Sequence, residues 1–83
     1  MAPITIEVKL YSILKKYGQE LGLGGQFSLE IEEGTTLEQV CEQVGIPAKR
    51  VGRYLKEARP LAPDYVLADG DAIDLLPPMI SGG

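Results

Sequence analysis

The run Pro77-Pro78-Met79-Ile80-Ser81-Gly82-Gly83 holds the residues whose types and order point most directly to chemistry. Paired glycines carry no side chains, so they pass through a channel too narrow for any other residue. Their backbone also adopts whatever φ and ψ a partner's site requires. The two prolines act in the opposite sense: each fixes φ near about −65°, removes an N–H and holds the preceding residue extended. Fully extended, Pro77 to Gly83 reaches on the order of 20 Å. The expectation is a stiff stalk that ends in a bare carboxylate and is presented to another protein. Gly83 would carry the reacting carboxyl group, with Gly82 as its steric partner. Ser81, Ile80, Met79, Pro78 and Pro77 would be the part inserted into the partner, and Leu76 is an interface candidate. The competing expectation is that Pro77, Pro78, Met79 and Ile80 fold back over the domain's own sheet. Small residues also gather in disordered termini.

Other chemistry is thinly supplied. The chain has no histidine and one cysteine, Cys41. An intramolecular disulfide, a Ser-His or Cys-His nucleophile pair and a zinc site of the usual ligands are thereby excluded. Twelve acidic residues against eight basic ones give a net charge of −4, which argues against nucleic acid as the main partner. No apolar run is long enough to span a bilayer, and no export leader is visible. With an unpaired thiol, these features lead to the expectation of a cytoplasmic protein without membrane partners. Lys49-Arg50-Val51-Gly52-Arg53 is a small basic cluster. It reads first as a solvated loop and second as a surface that meets acid on a partner.

The elements that must position the tail follow from periodicity. Eighty-three residues make one small domain, able to bury roughly 60% of its chain surface. Ile4-Thr5-Ile6-Glu7-Val8-Lys9-Leu10 alternates apolar and polar, as does Gln26 to Glu32 with Phe27, Leu29 and Ile31 on one side; both read as strands with one buried face. Between them, Leu10, Ile13, Leu14, Tyr17 and Leu21 recur at helical spacing. Ser12 is the expected cap of that helix, and Gly18 and the later glycines its end. Thr35 and Thr36, each three residues before Glu38 or Gln39, offer two overlapping capping boxes. The stripe Leu37, Val40, Cys41 and Val44 then predicts a main helix closed by Gly45. Its buried face makes Cys41 a small core residue rather than a reactive thiol.

Val51 to Lys56 reads as a third strand and Arg59-Pro60-Leu61 as a short edge strand that tolerates proline. Pro63 to Leu67 reads as a helical turn, Asp69-Gly70-Asp71 as a tight turn. Ala72 to Leu76 reads as a last strand with Ile73 and Leu75 on one face. The expected architecture is an α+β domain, a mixed sheet over one main helix, spanning residues 1–76, with residues 77–83 as an extended tail. If the last strand lies centrally, the tail projects cleanly from the sheet.

These residues resemble the β-grasp, ubiquitin-like sulfur carriers, most closely the small-subunit family of molybdopterin synthase, and they are also similar to the thiamine-biosynthesis carriers. The resemblance rests on the Ile4–Leu10 strand running into Tyr11-Ser12-Ile13-Leu14 and on Glu33-Gly34-Thr35-Thr36-Leu37 opening the main helix. It continues through Val44 and Gly45-Ile46-Pro47, the turn Asp69-Gly70-Asp71, and Leu76-Pro77-Pro78 ahead of Gly82-Gly83. Two departures stand out. Lys56-Glu57-Ala58-Arg59 occupies the place where the family usually carries an Asn-Gly turn, and the tail is about one residue longer than usual.

The resemblance implies a carrier rather than an independent catalyst. In such carriers the terminal carboxylate, here that of Gly83, is adenylated by a partner enzyme of the ubiquitin-activating type. It is then converted by a persulfide donor to a thiocarboxylate. ATP and the persulfide are used through that enzyme, with no cofactor bound by the carrier itself. The large catalytic subunit of molybdopterin synthase would then receive the sulfur for molybdenum-cofactor biosynthesis. An α-carboxyl ionises near about pH 3.5, so the attacking form needs no local base. Alternatives within the same chemistry are carriers for thiazole, tRNA thiolation, cysteine or a tungsten-pterin. Outside it stand a ubiquitin-like modifier that acylates lysines and a non-covalent β-grasp interaction domain.

Overall fold

Alternating apolar side chains set the frame. In the computed structural model, which describes residues 2–78, Ile4, Ile6, Val8 and Leu10 all point inward from strand β1 (Pro3–Leu10) while the residues between them face solvent. Strand β2 (Gln26–Glu32) pairs antiparallel with β1, Val8 opposite Phe27 and Ile4 opposite Ile31, so both strands turn one apolar row to the same side. Helix α2 (Leu37–Val44) covers that side with Leu37, Val40, Cys41 and Val44. Its N-terminus is held by a reciprocal capping box. Thr36 Oγ1 accepts from the Gln39 amide at 3.3 Å, and the Thr36 amide donates to Gln39 Oε1 at 3.0 Å. Gly45 ends the helix with φ at 87°, a left-handed value that costs glycine little. Thr35 is used differently from the expected second box: it is buried and its hydroxyl donates to the Glu32 carbonyl at 2.6 Å.

The remaining strands are β3 (Arg53–Lys56), β4 (Arg59–Leu61) and β5 (Ala72–Leu76). The five strands form one mixed sheet in the order β2-β1-β5-β3-β4, with β5 parallel to β1 and antiparallel to β3. The last strand is therefore central in the sheet, between β1 and β3. Ile73 and Leu75 enter the core with Leu10, Leu14 and Tyr54, opposite the residues of α2.

Four expectations are corrected. The first helix is a 3-10 turn, Ser12–Leu14, leading into a short α1 (Lys15–Glu20). Ser12 makes no cap; it lies inside the turn with φ at 54°. Leu14 is buried, but Ile13 and Leu21 are half exposed, because so short a helix covers only the end of the sheet. Gly18 lies inside α1 rather than ending it, where a side chain would collide with the Gly24 carbonyl. Pro63 to Leu67 is not helical. After a turn closed by the Tyr65 amide on Ala62 O, the segment runs extended beside the start of α2, where Leu37 N–H donates to Tyr65 O and Leu67 N–H to Thr35 O. These long-range partners replace the local bonds a helical turn would need.

Candidate functional site

Since β1 and β5 are parallel, they finish at the same end of the sheet, and the tail leaves from that end. Leu75 O accepts from the Tyr11 amide at 3.1 Å, and Leu76 O accepts from the Gly52 amide at 2.7 Å. The last strand is thus held on both sides up to the residue before Pro77. Leu76 stands opposite Arg53 in the β3–β5 register and is half buried. By strand alternation it lies on the sheet face turned away from α2.

The prolines then cross Gly52. A Cβ built on Gly52 would stand 2.6 Å from Pro78 N and 2.8 Å from the Pro77 carbonyl carbon, far inside ordinary contact of about 3.5 Å. The backbone of Gly52 does not itself call for glycine, since its φ lies outside the left-handed region. Glycine stands there because the tail's own backbone occupies the space of a side chain. Pro77 is half buried and Pro78 exposed, so the first two residues of the tail lie against the domain. Met79, Ile80, Ser81, Gly82 and Gly83 lie outside the described residues.

Sequence reasoning assigned Gly52 to the interior of a strand and gave it no role. The available signal was a glycine interrupting an apolar-polar run, which marks a close backbone approach. The same stretch brings the basic cluster to this end: Lys49 and Arg50 lie in the 3-10 turn Ala48–Arg50, and Arg53 opens β3. Lys9, near the end of β1, sits over the Tyr11 ring at 5.1 Å. All four side chains are exposed.

The described residues hold little catalytic chemistry of their own. A concavity of about 290 Å³ opens beside Gly52, lined by Val51, Arg53, Tyr54, Pro60 and Leu61, with no pair of carboxylates in it. No group of histidine, cysteine, aspartate or glutamate residues among those described is arranged to hold a metal. Cys41 is buried, and its Sγ–H donates to Tyr54 Oη over 3.9 Å. Burial pushes the Cys41 thiol up, and burial likewise raises Tyr54 well above the usual phenol range. A thiol held protonated in this way is a poor nucleophile, so Cys41 is a core residue, as expected.

At the opposite end of the sheet, Asp71 Oδ1 pairs with Lys56 Nζ at 2.6 Å, and its Oδ2 accepts from the Ala68 amide at 2.9 Å. Tyr65 Oη donates to the same oxygen at 3.4 Å. Burial works to raise the Asp71 carboxyl, but the hydrogen bonds from Lys56 and Ala68 outweigh it and leave it below the ordinary carboxylate value. This cluster ties the β3–β4 hairpin to the loop before β5 and lies far from the tail. Among the described residues no helix is long and apolar enough to cross a membrane.

Comparison with known proteins agrees with this architecture. No curated protein sequence matches the chain. The structure of the HVO 2177 protein of Haloferax volcanii superposes with a TM-score of 0.75 at 16% identity, covering 96% of this chain and 88% of that one. The small archaeal modifier protein 1 of H. volcanii gives 0.67 at 15% identity, over 92% of this chain and 99% of that one. A putative molybdopterin converting factor, subunit 1, of Pyrococcus furiosus gives 0.66 at 19% identity, over 92% and 99%. At these identities the likeness establishes the fold, and the β-grasp, ubiquitin-like architecture expected from the sequence is borne out. The sequence itself matches the profile of the Mut7-C ubiquitin family over residues 3–81, and the chain belongs to that family.

Proposed function

We propose that this chain is a sulfur carrier whose Gly83 carboxyl group, as a free terminus, is adenylated and then converted to a thiocarboxylate. The observation that carries the reading is the tail root: a ubiquitin-like sheet whose central, last strand runs straight into Pro77-Pro78, cradled on Gly52 and followed in sequence by Gly82-Gly83. A Gly83 carboxylate oxygen attacks the α-phosphorus of ATP in an activating enzyme, and pyrophosphate leaves. The terminal sulfur of a persulfide displaces AMP from the acyl carbon. A thiol then cleaves the resulting acyl disulfide, releasing the thiocarboxylate and a mixed disulfide. Magnesium, ATP and the persulfide are handled by the partner, which suits a chain with no histidine and a buried, protonated thiol.

The subfamily expectation, delivery of sulfur to the large subunit of molybdopterin synthase, is kept as the first acceptor to test. The fold shared with the putative molybdopterin converting factor subunit of P. furiosus supports it. A ubiquitin-like modifier is the second reading, supported by the equally close fold of the H. volcanii modifier protein. Both begin with the same adenylate.

Intact-mass measurement separates them. The full chain is incubated with a ubiquitin-activating-type enzyme of the same organism, ATP, a persulfide donor and a thiol. A gain equal to exchanging one oxygen for sulfur, mapped to Gly83 and lost on deleting Gly82 and Gly83, is the expected result. Lysine-linked adducts without that gain would establish the modifier. An unchanged mass with an enzyme competent on its other substrates would overturn both.

A further inference from the structure

The cations of this acidic chain are not scattered. Of its eight lysines and arginines, only Lys56 and Arg59 lie at the end of the sheet away from the tail, flanking the β3–β4 turn. Lys9, Lys49, Arg50 and Arg53 surround the tail root, and Lys15 and Lys16 open the short helix that caps the same end. All six are exposed, and none forms a salt bridge among the described residues. Five of the twelve acids gather at the opposite end. Glu30, Glu32 and Glu33 close β2 at the far end, with Asp69 and Asp71 beside them before β5. Near the root itself stand Asp74, opposite Lys9, and Glu38, which lines the concavity beside Gly52 and Arg53.

From this polarity we infer that the tail root is a docking surface for an acidic protein face, which rims the entrance the tail passes through. The inference rests on the carrier reading above. Residues 77–82 carry no charge, and the one charge of a free tail, the Gly83 carboxylate, is repelled by an acidic rim, so the tail cannot steer itself to one and the cations behind it must. An acidic rim attracts the Lys9, Lys49, Arg50 and Arg53 end and repels the Glu30, Glu32 and Glu33 end. A chain of net charge −4 is thereby turned to arrive tail first, which raises the productive encounter rate more than the final affinity. The same net charge, and the small extent of the patch, favour a protein over nucleic acid as its partner.

The test uses ATP–pyrophosphate exchange by a ubiquitin-activating-type enzyme of the same organism, with the full chain as the varied substrate. The triple variant Lys49→Glu, Arg50→Glu, Arg53→Glu is compared with wild type at about 50 mM and about 300 mM salt, where screening differs strongly. Expected is a KM for the chain raised about tenfold at low salt with kcat within about twofold, while Arg59→Glu, the same charge change at the other end, leaves KM unaltered. Wild-type KM should rise with salt and that of the triple variant should not. A folded triple variant with wild-type KM overturns the inference while the carrier reading stands, as does an equal effect of Arg59→Glu. Tight, patch-dependent binding of a short RNA duplex together with an unchanged KM would hand the surface to nucleic acid and also overturn it. Absence of exchange with wild type, in an enzyme competent on another carrier, overturns the carrier reading and the inference with it.

Discussion

Replacing Gly52 by alanine tests whether the tail root is seated or merely passes by. The new Cβ would stand 2.6 Å from Pro78 N and nearer still to Pro78 Cα, and normal contact is about 3.5 Å, so the prolines must lift by at least about 1 Å. Lifting strains the bond from the Gly52 amide to Leu76 O, now 2.7 Å, at about 1 kcal/mol. Alanine at an unstrained φ returns about 0.4–1 kcal/mol by restricting the unfolded chain. The two nearly cancel, so the melting temperature should move by less than about 8 °C, the shift that 1 kcal/mol gives in a domain of this size. Function should respond far more. A misplacement of about 1 Å can cost up to about 100-fold in rate, and with the reacting carboxyl group on Gly83, well beyond Pro78 in sequence, we expect kcat/KM for adenylation to fall about tenfold. Gly52→Val should lose more, with a similarly small change in melting. Pyrophosphate exchange read beside a thermal melt decides the matter. Unchanged kcat/KM in both variants would refute the seating argument, and a loss of activity that tracks a collapse in melting temperature would reassign Gly52 to stability alone.

Three further predictions concern stability and reactivity. Glu57 and Ala58 occupy the β3–β4 turn with φ of 52° and 66°, a two-residue conformation that suits Asn-Gly; since each left-handed residue costs about 1–2 kcal/mol, the double variant Glu57→Asn, Ala58→Gly should be more stable by about 1–2 kcal/mol in urea titration, and an unaltered midpoint would count against the turn geometry. Asp71 has its pKa lowered in the folded chain, so its contribution is present above the unfolded carboxylate value of about 3.9 and is lost as pH falls through the folded value; Asp71→Asn should flatten the decline in stability below about pH 4, and a variant with the wild-type acid limb would contradict the pairing. Cys41 is buried with its thiol pushed up, so a thiol-reactive disulfide reagent at pH 8 should label the native chain only on the timescale of unfolding and the urea-unfolded chain at once; rapid native labelling would place the sulfur at the surface.

What could be read in advance was whatever is decided by neighbours in sequence. One-sided burial writes period-two alternation into β1, β2 and β5, and the Thr36–Gln39 cap with Gly45 brackets α2 almost to the residue. The first helix was misread because Leu10 and Leu14 are spaced as on a helix although they belong to a strand end and a 3-10 turn that meet in space. Pro63 to Leu67 was misread because its partners are Thr35, Leu37 and Glu38, nearly thirty residues earlier. Gly52 escaped for the same reason: what forbids its side chain is the tail, which arrives from the far end of the chain. The basic cluster was visible as composition, but its place at the tail root depends on β3 lying beside β5, a register no local pattern specifies.

The pairing of β1 with β5 sets the order of events during synthesis. Glu7 lies beside Ala72 and Leu10 beside Leu75, so the middle of the sheet joins the first and last strands and encloses nearly the whole chain between them. Such a contact cannot form until the residues of β5 have left the ribosome, and closing so large a loop is entropically slow. Leu76 and the prolines gain their supports, Tyr11 on one side and Gly52 on the other, only at that moment. A half-folded chain therefore offers the glycines without the seat behind them. An enzyme that recognises the seat as well as the glycines would discriminate finished molecules from unfinished ones with no separate proofreading step.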